Sequence, residues 1–94
     1  MCKLKLKWTR RALEQLVEAQ EYIARENPVA ARQVGERIAD ATRLLLTQPR
    51  MGHQGRVAGT LEWVVRRTPY FLVYKLEDDE LIVLRVIHGK QHWP

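Results

Sequence analysis

The 94 residues are enough for one hydrophobic core and too few for two, so 1–94 is read as a single domain. A hydrophobic content of 46% argues against disorder, while 16 lysines and arginines against 11 acidic residues leave a charge of +5, suited to a polyanionic or acidic partner. The lone Cys2 excludes an internal disulfide and a thiolate metal site, and no apolar run reaches the ~20 residues of a membrane span, so a cytoplasmic protein without cofactor is expected.

Leu4, Leu6 and Trp8 alternate with Lys3, Lys5 and Lys7, the period of a strand with one buried face. Lysines on such a strand deter foreign pairing if it lies at a sheet edge. Thr9 is a candidate N-cap for a helix with apolar positions Leu13, Leu16, Val17 and Ile23, widened by Ala12, Ala19 and Ala24. Asn27-Pro28 ends that helix and begins another. The residue before proline is pushed out of helical geometry, yet Asn caps well and Pro at the first helical position has no N–H to lose. Val34, Ile38, Ala41 and Leu45 then recur at helical spacing until Gln48-Pro49. So short a connection makes the helices antiparallel neighbours.

Residues 49–60 hold three of the five glycines and no periodicity, and read as a loop. Three strands are predicted over 61–67, 70–76 and 81–88, the first pair broken at Thr68-Pro69. Both faces of 70–76 are apolar, as in a central strand. The acidic run Glu77-Asp78-Asp79-Glu80 lies between two strong strands and reads as a hairpin turn, not a metal site. The predicted fold is α+β, in the order β-α-α-β-β-β. It is a two-layer domain with an antiparallel sheet on an αα-hairpin. No segment is left to cover the far face of the sheet, so a partner is expected to dock there.

Several segments together resemble the RelE/ParE toxin superfamily of type II toxin–antitoxin systems. They are Leu6-Lys7-Trp8-Thr9-Arg10-Arg11-Ala12-Leu13, Tyr22-Ile23-Ala24, Asn27-Pro28-Val29-Ala30-Ala31 and Gln48-Pro49-Arg50-Met51-Gly52. Arg56-Val57-Ala58-Gly59-Thr60, Tyr70-Phe71-Leu72-Val73-Tyr74 and Leu84-Arg85-Val86-Ile87-His88-Gly89-Lys90 complete the set. The resemblance implies a toxin that inhibits growth when free, of the kind associated with plasmid stabilization. It also implies a cognate antitoxin, a small acidic DNA-binding dimer with a disordered tail. A basic toxin suits an acidic tail through electrostatic steering.

The superfamily divides by target. RelE-like members are mRNA interferases acting on the ribosome, whereas ParE-like members bind DNA gyrase and are not enzymes. RelE-like nucleases resemble one another in an Arg within a Tyr-Arg-Leu-Val-Tyr pattern and a Tyr near the C-terminus. Here Phe71 stands at the Arg position and the chain ends His92-Trp93-Pro94. The segment Ile87-His88-Gly89-Lys90 looks ParE-like, and that branch is favoured. For a nuclease, Arg56, Arg66, Arg85, His88, Lys90 and His92 are the candidate catalytic residues. Cations would meet the phosphate and an imidazole would move the proton. For a binding protein, Arg85, His88, Lys90, His92 and Trp93 are the candidate partner contacts. By simple alternation Arg85 shares a strand face with Val83 and Ile87. A non-toxic member of an autoregulatory complex remains a third reading.

Overall fold

A computed structural model describes residues 4–94; Met1, Cys2 and Lys3, with the readings placed on Cys2 and Lys3, lie outside the described residues. The first strand, β1, covers Lys5–Trp8, with Leu6 and Trp8 half-buried and Lys5 and Lys7 exposed, as the alternation requires. Thr9 caps helix α1, Arg10–Ala24, its hydroxyl accepting from the Ala12 N–H at 3.1 Å. Asn27 caps helix α2, Pro28–Thr47, in the same way, through Ala30 N–H at 3.0 Å. The predicted stripe of α2 is buried at Val34, Ile38, Ala41 and Leu45. That of α1 is narrower than predicted. Ala12 and Ala19 are buried and Leu16 and Ile23 pack on the core, but Leu13 and Val17 are about half exposed, at 47% and 53%.

The sheet contains β2 (His53–Gln54), β3 (Leu61–Val64), β4 (Tyr70–Glu77) and β5 (Glu80–His88) besides β1, in the order β1-β5-β4-β3-β2. Three details differ from the sequence reading. The glycine-containing loop contributes a two-residue strand, β2, paired antiparallel with β3. The strand predicted over 61–67 ends at Val64, because Arg67 adopts a left-handed φ of 62° in the turn to β4. The sheet is mixed: β1 runs parallel to β5, although β2 to β5 form antiparallel pairs. Period-two alternation records which face a side chain takes, not strand direction, so the parallel pair left no mark in the sequence.

β1 is an edge strand, and its lysines lie near the acidic hairpin, Lys5 Nζ 3.7 Å from Asp79 and Lys7 Nζ 3.9 Å from Glu80. Asp78-Asp79 forms the two-residue turn between β4 and β5, with Asp78 at a φ of 55°. The helices cover one face of the sheet. Between the layers lie Ile38, Leu45, Leu72, Tyr74, Leu81 and Val83, each at most 1% exposed. Burying a side chain of this size contributes roughly 1.5–3 kcal/mol.

A second, smaller core lies on the other face and was not foreseen. Phe71, Val73 and Ile87 are 7%, 0% and 4% exposed, with Leu84 and Trp93 packed against them. The expectation that the chain leaves this face uncovered is therefore corrected. The C-terminal segment turns back and covers part of it.

Candidate functional site

The helix-free face is organised by register. His53 stands opposite Glu62, Glu62 opposite Val73, and Val73 opposite Arg85, so four strands contribute one row. Residues directly opposite in neighbouring strands share a face. Arg85 reaches this face through a one-residue bulge. Val73 pairs with Arg85 but Tyr74 pairs with Val83, and Leu84 is skipped. An inserted residue reverses the alternation beyond it. Val83 therefore packs in the helix-side core while Arg85 and Ile87 face the other way, which corrects the single face expected for Val83, Arg85 and Ile87.

Glu62 is the centre of this site and was missed by sequence reasoning. Its side chain is only 3% exposed. One oxygen, Oε2, accepts from the Arg56 backbone N–H at 3.0 Å and from the Trp93 indole N–H at 3.1 Å. The other, Oε1, lies 3.6 Å from His53 Nε2 and 3.9 Å from Arg56 Nε. A carboxylate removed from water needs such partners, since burial without them is strongly unfavourable. A signal existed in Leu61-Glu62-Trp63-Val64-Val65, where one charge interrupts an apolar strand on the face opposite Leu61 and Trp63.

The loop before β3 delivers Arg56. Gly55 N–H donates to the Thr60 carbonyl at 2.8 Å, closing a short turn in which Gly59 takes a φ of 83°. This folds Arg56 back over the sheet, with its guanidinium 5.5 Å from the Phe71 ring centroid and its Nη1 donating to the Trp93 carbonyl at 3.2 Å. Arg85 lies 5.9 Å from the Trp93 ring, on the same surface. Both distances fall within the range of cation–π attraction.

The other end of the loop is anchored by Tyr74. Its buried hydroxyl donates to the Pro49 carbonyl at 2.7 Å and accepts from the Gly52 N–H at 3.1 Å. A Cβ on Gly52 would lie 2.5 Å from that hydroxyl, so close an approach requires glycine here. Burial raises the Tyr74 phenol above its ordinary value, opposed by the Gly52 hydrogen bond and the Arg50 charge. Tyr70 is raised too, by burial and then by Tyr22.

The structure divides the remaining candidates. Arg56, Arg85 and Trp93 converge on the helix-free face. His88 faces the helix side, edge-on to Tyr70 at 5.3 Å, and its Nδ1 accepts from the Lys90 N–H at 3.1 Å. His88 and Lys90 line a groove with Arg11, Tyr22 and Arg25 of α1 and the segment after it. Arg66 lies apart from both groups, beside Arg37, Leu44, Trp63 and Arg67. His92 is exposed. The six residues expected for a nuclease are thus not one cluster, because the Leu84 bulge and the turns at either strand end send them to different surfaces. Among the described residues no group of three or more histidine, cysteine or acidic side chains is arranged to hold a metal, and no helix is long and apolar enough to cross a membrane.

A family model described as the ParE toxin of type II toxin–antitoxin system, parDE, matches residues 6–93. The chain belongs to the ParE toxin family. A relative described as putative toxin Y4kP of Sinorhizobium fredii is 37% identical over 94 residues, covering 100% of this chain and 97% of that protein. Toxin RelE2 of Caulobacter vibrioides is 33% identical over 83 residues, 87% of this chain and 91% of its own. The chromosomal ParDE system of P. aeruginosa contains a chain with the same fold, at a TM-score of 0.83 and 21% identity, covering 92% of this ParE-family chain and 96% of that one. The chain is thus a type II toxin of the RelE/ParE superfamily, matched by a family model with the ParE name and by a relative with the RelE name.

Proposed function

We propose that this protein inhibits growth when free, is neutralised by a small acidic antitoxin, and acts in the ParE manner by binding DNA gyrase. The observation that carries this reading is the centre of the helix-free face. Phe71, Val73 and Ile87 form an apolar floor beneath Trp93, flanked by Arg56 and Arg85. An aromatic side chain and arginines over an apolar floor are the composition of a protein-binding hot spot. RNA cleavage instead requires an acid and a base within reach of one phosphate. His88 is held on the opposite face by Tyr70 and Lys90, which supports binding over cleavage.

One observation favours the RelE-like reading. His53 lies 3.6 Å from buried Glu62, close to Arg56, so an imidazole, a carboxylate and a cation do meet on this face. Induced expression separates the two. A gyrase inhibitor triggers DNA-damage signalling and filamentation with messages intact, and the purified protein blocks gyrase supercoiling. A ribosome-dependent nuclease stops translation and leaves A-site cuts, and His53→Ala abolishes them. Normal growth on induction refutes both readings.

A further inference from the structure

The segment after β5 is held by two groups of contacts, a turn at Gly89–Gln91 and, at its far end, the bonds of Trp93 to Glu62 and Arg56. Gly89 N–H donates to the Pro69 carbonyl at 2.7 Å and Gln91 N–H to the His88 carbonyl at 2.9 Å, forming the turn that reverses the chain. Beyond that turn His92 and Pro94 are exposed. Trp93 is fixed by its indole bond to Glu62 Oε2, its carbonyl bond from Arg56, and its packing on the Phe71, Val73 and Ile87 floor.

The same Glu62 oxygen holds the Arg56 backbone, so one carboxylate fastens two chain segments that approach from opposite ends of the sheet. We infer that Glu62 is a positioning residue. It latches the C-terminal segment across the helix-free face, and the latched segment completes the surface of Arg56, Trp93 and Arg85 that acts on the target. The inference rests on the reading above that this face meets the target. Glu62 itself is buried beneath these side chains, so it acts through them and not by contact.

Substitutions at the two ends of the latch separate its parts. Both hydrogen bonds go to one oxygen, so Glu62→Gln keeps an acceptor for Trp93 and Arg56 and retains the latch. Glu62→Ala removes it. Trp93→Phe keeps the aromatic packing but removes the donor, and leaves Glu62 with its Arg56 and His53 neighbours should the alanine variant fail to fold. Three tryptophans give three indole N–H resonances, and Trp93→Phe identifies the one that belongs to the latch.

In Glu62→Ala the Trp93 indole proton is expected to exchange with solvent roughly tenfold faster or more, while the Trp8 resonance stays unchanged. In Trp93→Phe the Gln91 amide, which donates to the His88 carbonyl, loses protection similarly. Growth inhibition on induction falls about tenfold or more in both and is retained in Glu62→Gln. Unchanged Trp93 exchange in a folded Glu62→Ala protein overturns the latch. A released tail with full growth inhibition overturns its role in the surface. A wild-type protein that leaves growth untouched refutes the proposed function alone, since the exchange measurement reads the latch without any target.

Discussion

Replacing Tyr74 by Phe removes one oxygen atom from the interior and tests how the loop carrying His53 and Arg56 is held. The ring of Tyr74 is fully buried between the layers, and Phe fills the same space, so the change leaves packing intact. What is lost is a donor to the Pro49 carbonyl and an acceptor for the Gly52 N–H. Gly52 is buried, so its N–H is left without a partner at a cost of about 1–3 kcal/mol. Pro49 is half-buried and water can reach its carbonyl, so the second loss is nearer the net value of one hydrogen bond, about 0.5–1.5 kcal/mol. The sum is about 1.5–4.5 kcal/mol, a large part of the ~5–15 kcal/mol that holds a small domain folded. Equilibrium urea denaturation followed by circular dichroism measures it. The expected result is a lower midpoint with an unchanged slope, because the unfolding surface is the same. A loss below about 0.5 kcal/mol would show that the loop is not held through this hydroxyl and refute the reasoning.

Leu45→Ala deletes a fully buried side chain from the helix-side core and is expected to cost about 2–5 kcal/mol, measured in the same titration. Arg67 sits at a φ of 62°, where a non-glycine residue is disfavoured by about 1–2 kcal/mol, and its carbonyl bond from Arg37 does not depend on its side chain. Arg67→Gly should therefore stabilise the protein by about 0.5 kcal/mol after the greater flexibility of glycine in the unfolded chain is subtracted, and a lower melting temperature would contradict this. Tyr70 and Tyr74 have phenols raised by burial, so the unfolded chain ionises first as pH rises. Their contribution is whole below the unfolded value of about 10 and is lost above it, so the wild type should lose stability above pH ~10 more steeply than Tyr74→Phe does.

Much of the fold was legible because its signals are local. Thr9 and Asn27 cap helices through their own side chains, Pro28 is tolerated only at a helix start, and the Val34-Ile38-Ala41-Leu45 stripe has one period and one buried face. The site was less legible because it is made by pairings distant in sequence. Trp93 and Glu62 are 31 residues apart, and Thr9 bonds to Leu84 across 75. Glu62 interrupts an apolar strand, but nothing in the neighbouring sequence announced the Trp93 indole and Arg56 N–H that offset its burial. Leu13 and Val17 erred in the opposite direction. Helical spacing makes them eligible for the core, but α1 already buries Ala12 and Ala19 and packs Leu16 and Ile23, and that stripe is wide enough.

The Leu84 bulge connects these observations. The run Leu81-Ile82-Val83-Leu84-Arg85-Val86-Ile87-His88 is apolar at six of eight positions, so hydrophobicity alone does not fix which face each residue takes. Leu81 and Val83 point into the helix-side core, and unbroken alternation would send Arg85 in after them. A guanidinium there would be buried against Leu72 and Tyr74, at a cost far above that of one ladder irregularity. Skipping Leu84 resolves the conflict. Arg85 and Ile87 turn to the helix-free face, and Val86 takes the inward place. The Leu84 carbonyl, available at the bulge, accepts from the Thr9 hydroxyl at 3.1 Å and from Arg85 Nη1 at 2.7 Å. One inserted residue thus keeps a charge out of the core and brings Arg85 beneath Trp93. The C-terminal segment that carries the family resemblance owes its surface to that step in register.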